Sequence, residues 1–540
     1  MLNGLADQIA RSKYPLLLIA MAVFGFHLYD IFIIKTMYVD DHHRLILGLE
    51  NRLHETIYMR NKLRAFTMQP LYELLSIDPV WARLAQVVVY YIPLAISVFM
   101  LVRRFGDLSR GAAIAVAIVP CVLPGQWMLP SFIDGSYTIQ GMLVFNLSLY
   151  AALHYASTSS DFRPKWIVLV AVLYGASLEM MDHSVFLMPV AVFILLAMFY
   201  RDRNLRPFLA MAAVFIGLGI AKAIHAFFFP TVGASTTISP SLAIFIQRFS
   251  SFGETIFPFS HWINSEAFDY RITVGIFSLI VSWALVIGSM KDRVIILTAL
   301  LWAFCSSIVF LTISKYYAPR YGHIAGFGVN LALIQSIFLL LKRYLAEKRH
   351  FNKVFLGLVA FTIVYSGLVR IENLQKRHES LNEVHEGIVN ELKLHGFPLN
   401  AQVVMIDGGR IPIGGWWHYA RGYIKYVTRR ADLDGLVGWE NFYYNPFDVD
   451  KRGFNEGHQM NGLNIDRATF FFSLKACYPD RCVFEQHDMV LKFEEEHWTL
   501  LKYDLCSGEH KTVVEGVGRE GFNKSLIDLG LSTDEILFAN

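Results

Sequence analysis

Two adjacent carboxylates, Asp40 and Asp41, follow the first long apolar stretch of the chain, inside the run Met37-Tyr-Val-Asp-Asp-His-His-Arg-Leu-Ile46. An acid held beside hydrocarbon is costly, so a pair of them at the mouth of a membrane span is a candidate for proton transfer. A plainer use fits as well: Asp41 can cap a helix starting at His42 by accepting its free amide protons. A second acidic group, Glu179 with Asp182, lies in Ser177-Leu-Glu-Met-Met-Asp-His-Ser184, which reads equally as a polar hairpin between two apolar segments. Cations gather in Ser314-Lys-Tyr-Tyr-Ala-Pro-Arg-Tyr-Gly-His323. There Lys315 and Arg320, with three tyrosines and a proline-fixed turn, can clamp an anion, arginine offering phosphate a planar two-pronged donor. Lys222 and His225 stand three residues apart on one helical face, and Lys222 also suits an anchor among lipid headgroups.

The elements that must position these groups are apolar helices. The chain has 540 residues, 54% hydrophobic and 14% aromatic, with a mean hydropathy of +0.41, too apolar for a soluble protein of this length. The expected fold class is an α-helical polytopic membrane protein. Its spans are Tyr14–Ile34, Leu84–Val102, Ala112–Met128, Ile139–Tyr155, Trp166–Leu178, Val185–Tyr200, Phe208–Phe227, Ile272–Met290, Val294–Ile313, Gly322–Leu341 and Val354–Leu368, eleven in all. Pro120, Pro124 and Pro130 predict that the third kinks or ends early. No small-residue cleavage site follows the first, which reads as an uncleaved anchor.

Basic residues set the expected orientation. Arg103, Arg104, Arg110, Arg163, Lys165, Arg201, Lys291, Arg293, Lys342 and Arg343 fall in alternate connections, whereas 130–137 and 179–184 contain neither Lys nor Arg. The positive-inside rule then places the N-terminus in the cytoplasm and, after an odd number of spans, the C-terminal part outside. The expected location is a bacterial inner membrane with a periplasmic C-terminal domain. The first outer segment, 35–83, breaks the rule with Arg44, Arg52, Arg60, Lys62 and Arg64 among apolar residues, and reads as amphipathic helices lying at the outer interface with their cations facing lipid phosphates. On this topology the ionisable residues, His27, Asp30, Glu179, Asp182, His183, Lys222, His225, Lys315, Arg320 and His323, crowd toward the outer end. A pump or ion-coupled transporter more often places them near the midplane.

The domains expected are 1–369 in the membrane and 370–540 as an extracytoplasmic α/β domain. In the latter, Arg370–Gly396 reads as an amphipathic helix and Ala401–Asp407 as a buried strand, followed by a helix from about Trp416 to Arg429. Ala468–Leu474 and Met489–Tyr503 read as further strands, the latter containing an acidic turn or a solvated edge at 493–498. Trp416, Trp417, His418, Tyr419, Trp439, Phe442, Tyr443 and Tyr444 suit core packing, docking or sugar stacking. Cys477-Tyr-Pro-Asp-Arg-Cys482 is too lone a pair for a zinc site; a local disulfide there agrees with an oxidising compartment, and two separate thiols are the alternative.

An acidic pair after the first span, an amphipathic first outer loop, a second acid at a later outer turn, Pro-Arg-Tyr near a late span and an outward C-terminal domain together resemble the GT-C glycosyltransferases. The resemblance implies a multispan enzyme that transfers a sugar from a polyprenyl-phosphate donor to an extracytoplasmic glycan or protein acceptor, with inversion. It makes Asp40 or Asp41 the general base and Glu179 or Asp182 a secondary acid. Arg320, Tyr321, Lys315, His43 and Arg44 would meet the donor phosphate. The lipid-linked donor is a substrate and no cofactor is implied; a divalent metal is left open, as is the acceptor, since the C-terminal part matches no member. The bilayer is a partner, and nothing in the charge balance of +3 points to nucleic acid. A lipid-linked saccharide flippase and a non-catalytic envelope-binding protein are the alternatives.

Overall fold

Apolar stretches of this length in low dielectric have to satisfy their backbone within each segment, and helices are what form. The computed structural model describes residues 15–32, 45, 62–106, 108–122, 133–158, 163–202, 205–228, 270–313, 323–345, 348–406, 417–430, 432–438, 466–478, 481–494, 497–531 and 537–539. The chain divides into two units: Met1–Ile33, Leu53–Leu74 and Val80–Leu374 in one; Ile34–Arg52, Leu75–Pro79 and Gln375–Asn540 in the other.

The first unit is a helical bundle. Its helices are α1 (Pro15–Phe32), α2 (Lys62–Ile77), α3 (Pro79–Ala85) continuing through a π-helical stretch (Gln86–Tyr91) into α4 (Ile92–Gly106), α5 (Arg110–Ile118), α6 (Ser136–Thr158), α7 (Pro164–Met180), α8 (Met188–Asp202), α9 (Leu205–Phe228), α10 (Tyr270–Ile287), α11 (Met290–Ile313), α12 (His323–Tyr344) and the start of α13 (Lys348–Leu394). Helix covers part of each of the eleven apolar segments. Among the described residues, however, three helical stretches are long and apolar enough to cross a membrane: Pro79–Gly106, Arg206–His225 and Ile324–Tyr344. Helices α6, α11 and α13, with 23, 24 and 47 residues, are long but are not among those three, and several of the rest stop short of the roughly 20 residues a 30 Å core requires. Helix α5 has nine residues before a 3-10 turn, Val119–Cys121, that carries Pro120, and α7 has 17.

Two expectations need correction. Helix α2 buries Arg64 at 5% exposure, together with Met68, Leu71 and Tyr72, and leaves Phe66 76% exposed. Its described cation therefore points into the bundle instead of toward lipid phosphates. Helix α13 runs unbroken for 47 residues, so the last apolar segment and the amphipathic helix expected after residue 370 are one element. Val384, Ile388 and Leu392 form its buried stripe.

Small residues let the bundle close. A Cβ on Gly328 of α12 would stand 2.5 Å from Ala303 N and 2.6 Å from Ala299 O of α11. Neither is the movable tip of a side chain, so the two helices touch there through backbone, as small residues permit in membrane bundles.

The second unit follows from β1 (Gln402–Ile406), α14 (Trp417–Thr428) and β2 (Asp434–Gly438), a strand–helix–strand crossover whose strands pair in parallel. Strand β3 (Thr469–Tyr478) lies parallel on the other side of β1, and β4 (Arg481–His487) returns antiparallel beside it, giving the order β2-β1-β3-β4. The expected strand at 489–503 is a hairpin, β5 (Met489–Glu494) and β6 (His497–Tyr503). With β7 (His510–Val517) and β8 (Leu537–Ala539) it makes a second sheet, β7-β6-β5-β8. Helix α15 (Gly518–Leu529) covers that sheet by seating Phe522 and Leu526 against Trp498, Leu500 and Leu491.

Gly328→Val is expected to cost about 1–3 kcal/mol by overpacking, seen as a lower thermal midpoint of the purified protein in detergent; an unchanged midpoint would mean that α11 and α12 have room to part. The β3–β4 register sets Cys477 opposite Cys482. Peptide mapping without reductant is expected to recover these two cysteines in one linked fragment and Cys506, which is exposed and free, as a thiol. Alkylation of both Cys477 and Cys482 in unreduced native protein would return the hairpin to two separate thiols.

Candidate functional site

Four elements meet at one end of the bundle: the start of α2, the start of α6, the end of α7 and the last turns of α9. Each contributes a polar group that would be expensive alone in apolar surroundings. Lys222 Nζ of α9 lies 3.0 Å from Glu179 Oε1 of α7, the lysine side chain 15% exposed and the carboxylate 47%. One residue further, Met180 offers its carbonyl to Arg64 Nε at 2.7 Å. The Arg64 guanidinium lies over the Tyr137 ring, 4.4 Å from its centroid. Helix α2 is also tied down by Tyr90 Oη, which donates to Thr67 O at 3.4 Å, and by Gln140 Nε2, 3.6 Å from Met68 Sδ.

The turn that follows α7 is built with equal economy of free polar atoms. Met181 N donates to Ser177 O at 2.8 Å, and Ser184 N to Met181 O at 2.9 Å. Ser177 Oγ donates to Gly141 O of α6 at 2.8 Å and lies 2.7 Å from Ser184 Oγ, while Tyr174 Oη donates to Ser184 O. Glycine is required at 141, where a Cβ would meet Met181 Cβ at 2.3 Å.

Charge bookkeeping decides what this cluster can do. The C-terminal end of α7 carries about half a negative charge and Glu179 a whole one, against the two positive charges of Arg64 and Lys222. Among the described residues both cations already have protein partners, Lys222 a carboxylate and Arg64 a helix-terminal carbonyl and the face of Tyr137.

The predicted site residues are placed as follows. Glu179 stands in the cluster. The backbone of Asp182 belongs to a 3-10 turn, Asp182–Leu187, next to it. Asp40, Asp41, His43, Arg44, Lys315, Arg320 and Tyr321 lie outside the described residues, as do the side chains of Asp30 and Asp182 and the aromatic residues Trp416, Trp439, Phe442, Tyr443 and Tyr444. His27 is fully buried in α1, its ring centroid 5.0 Å from that of Tyr91. Lys222 pairs with an acid of another helix instead of extending to headgroups, and Arg64 and Tyr137 join the cluster without having been singled out for it. Their chemistry was visible in the sequence; the neighbour that made it matter was not.

The opposite end of the bundle differs. There Arg103 donates to Leu108 O, Arg104 to Ser157 Oγ, and Arg163 N to Tyr155 Oη.

In the second unit, one polar group invites comparison with a hydrolytic triad. His487 Nε2 lies 2.7 Å from Ser473 Oγ and 3.9 Å from Glu485 Oε2. A triad needs the acid on the other ring nitrogen, and Ser473 is 2% exposed, so the group is structural. Burial keeps His487 below its ordinary pKa, and the hydrogen bond from Lys475 holds Glu485 below the usual carboxylate range. A second group braces the loop before β1: Arg430 forks onto Asp432 at 3.1 and 2.5 Å and also donates to Phe397 O and Pro398 O. Among the described residues no three His, Cys, Asp or Glu side chains gather to hold a metal ion. No protein-family model matches the chain, and no curated protein matches it in sequence.

Asp432 carries a pH prediction. The Arg430 hydrogen bonds pull its pKa from 3.8 to about 2, with burial opposing and the Asn400 amide helping. A value depressed by folding contributes stability that is complete above the unfolded pKa and disappears as pH falls through the folded one. Asp432→Asn is therefore expected to lower the thermal midpoint of the C-terminal unit modestly at neutral pH and to flatten its decline between about pH 4 and pH 2. The effect is small because the pair is about a third exposed. Superimposable acid limbs for the two proteins would remove Asp432 from the acid response.

Proposed function

We propose that the chain is an integral membrane glycosyltransferase of the GT-C kind, moving a sugar from a polyprenyl-phosphate donor to an extracytoplasmic glycan or protein. The observation that carries this reading is the polar mouth at one end of an apolar bundle, where Glu179 is held half-exposed by Lys222 beside a turn fixed by Arg64. The eleven spans, read from the apolar runs, and the inner-membrane location with its outward C-terminal domain, read from the Lys/Arg asymmetry, belong to the same proposal.

The chemistry asked of these residue types is modest. A glycosidase must protonate an alkoxide and so works with two carboxyl groups. A lipid phosphate leaves as a stabilised anion, so one base suffices. Asp40 or Asp41 takes the proton of the acceptor hydroxyl as its oxygen attacks the anomeric carbon from the face opposite the phosphate. The C–O bond to phosphate breaks with inversion, and Lys315, Arg320, Tyr321, His43 and Arg44 meet the departing charge. Glu179 or Asp182 orients the acceptor.

Membranes carrying the protein are to be given a panel of radiolabelled polyprenyl-phosphate hexoses and pentoses, and released polyprenyl phosphate counted. Asp40→Asn or Asp41→Asn is expected to reduce release by about 10²–10⁴-fold while expression and insertion persist. Loss of a helix cap would instead cost only about 1 kcal/mol of stability. Sugar movement without release of lipid phosphate would favour a flippase, and donor turnover absent from the wild type as well would favour an envelope-binding protein.

A further inference from the structure

We propose that Lys222 is a positioning residue: its ammonium fixes the direction of the Glu179 carboxylate at the mouth, so that Glu179 can orient the acceptor. The inference rests on the glycosyltransferase reading for its consequence, though not for its geometry.

A lysine near the end of an apolar helix ordinarily extends its stem along the helix and puts its charge among headgroups or water. Lys222 does otherwise, turning to an acid 43 positions earlier, on another helix. The approach of α9 to α7 makes this reach available. Gly219, one turn before Lys222 on the same face, lies so close to its neighbours that a Cβ would meet Met188 Sδ at 2.7 Å and Tyr174 Oη at 3.3 Å. Tyr174 is itself bonded to the turn at Ser184, and Arg64 holds the carbonyl of Met180. The backbone beneath Glu179 is thus fixed from α2, α6 and α9 before its side chain is considered. What that backbone does not set is the torsion of a long carboxylate side chain, and the Lys222 ammonium, 3.0 Å from Glu179 Oε1, bears directly on it.

The exposures separate positioning from stability. An ion pair with one member half exposed adds little to folding. Orientation of a reactant by the same contact can be worth up to about 100-fold in rate. A contact of this kind is a weak brace and an effective aim.

The test uses the full-length protein in membranes with the donor panel above, and purified protein in detergent for stability. Lys222→Met is expected to shift the thermal midpoint by no more than a few degrees and to lower transfer by about 10- to 100-fold, mainly through a raised KM for the acceptor. Lys222→Arg is expected to recover most of it. Glu179→Lys combined with Lys222→Glu keeps the ion pair but moves the carboxylate to α9, so it should restore the midpoint and leave transfer low. Wild-type kinetics in Lys222→Met, or full recovery of transfer by the charge swap, would overturn the proposal. If Asp40→Asn and Asp41→Asn abolish release while Lys222→Met does not alter it, this inference alone fails; if the wild type releases no lipid phosphate, the reading beneath it fails. In that second case the geometry is still tested by thermal midpoints of Glu179→Gln, Lys222→Met and the double variant. Non-additive shifts support the tie, and additive ones overturn it.

Discussion

A polar group inside an apolar bundle has no water to fall back on, and leaving one unpaired costs several kcal/mol. The turn after Met180 shows what this constraint builds. Ser177, Ser184, Tyr174 and the carbonyl of Gly141 satisfy one another, and because hydrogen bonds tolerate little stretching, α6 must come close enough for Gly141 to touch Met181. The mouth inherits its rigidity from that knot. Arg64 then has a carbonyl at a fixed place to bind, and Glu179 a fixed backbone from which to reach Lys222. The order of dependence runs from buried serines to helix spacing, and from helix spacing to the direction of one carboxylate.

The helical bundle was legible because hydrocarbon-length apolar runs are the strongest signal a sequence carries. The partners of its charged residues were not. Lys222 and His225 announce a polar face on α9, yet nothing local says that α7 lies against that face, since helix neighbours are chosen by contacts far apart in sequence. Arg64 misled for a related reason. Its segment is amphipathic, and a cation on such a helix usually marks the wet side. Here a helix C-terminal carbonyl and the face of Tyr137 compensate the burial of the guanidinium, and Phe66 takes the outer position. Neither acceptor could be located without the fold.

The C-terminal unit divides along the same line. Gln402–Ile406 is a run of apolar residues buried at every position and could be read as a central strand. Asp434–Gly438 could not: two glycines in five residues look like a turn, and the segment is a strand because β1 lies ready beside it as a template. Strand β7 alternates poorly, being an edge with exposed charges, and was likewise silent. The polar sets Ser473–His487–Glu485 and Arg430–Asp432 show why residue types alone misidentify sites. Their members are those of catalysis and anion recognition, but the geometry assigns the first to a sheet face and the second to a loop brace.

The two ends of the bundle satisfy their cations differently, and that difference bears on where a donor phosphate can be held. At one end Arg103 and Arg104 donate to a carbonyl and a hydroxyl, neutral acceptors that do not themselves cancel the positive charge. On the proposed orientation this end faces the cytoplasmic leaflet, whose anionic lipids would meet it. At the other end Lys222 faces a carboxylate and Arg64 a helix C-terminus, so their fields nearly cancel against protein groups. A phosphate arriving there would gain little from either without breaking its existing contact. The proposed donor site consequently has to draw on other cations, and the sequence supplies them in two places, around Arg44 and between Lys315 and Arg320. On the proposed reading the described mouth would serve the acceptor side of the reaction, and the donor side would depend on a planar guanidinium such as Arg320, whose fork matches phosphate where a lysine would offer only a point charge.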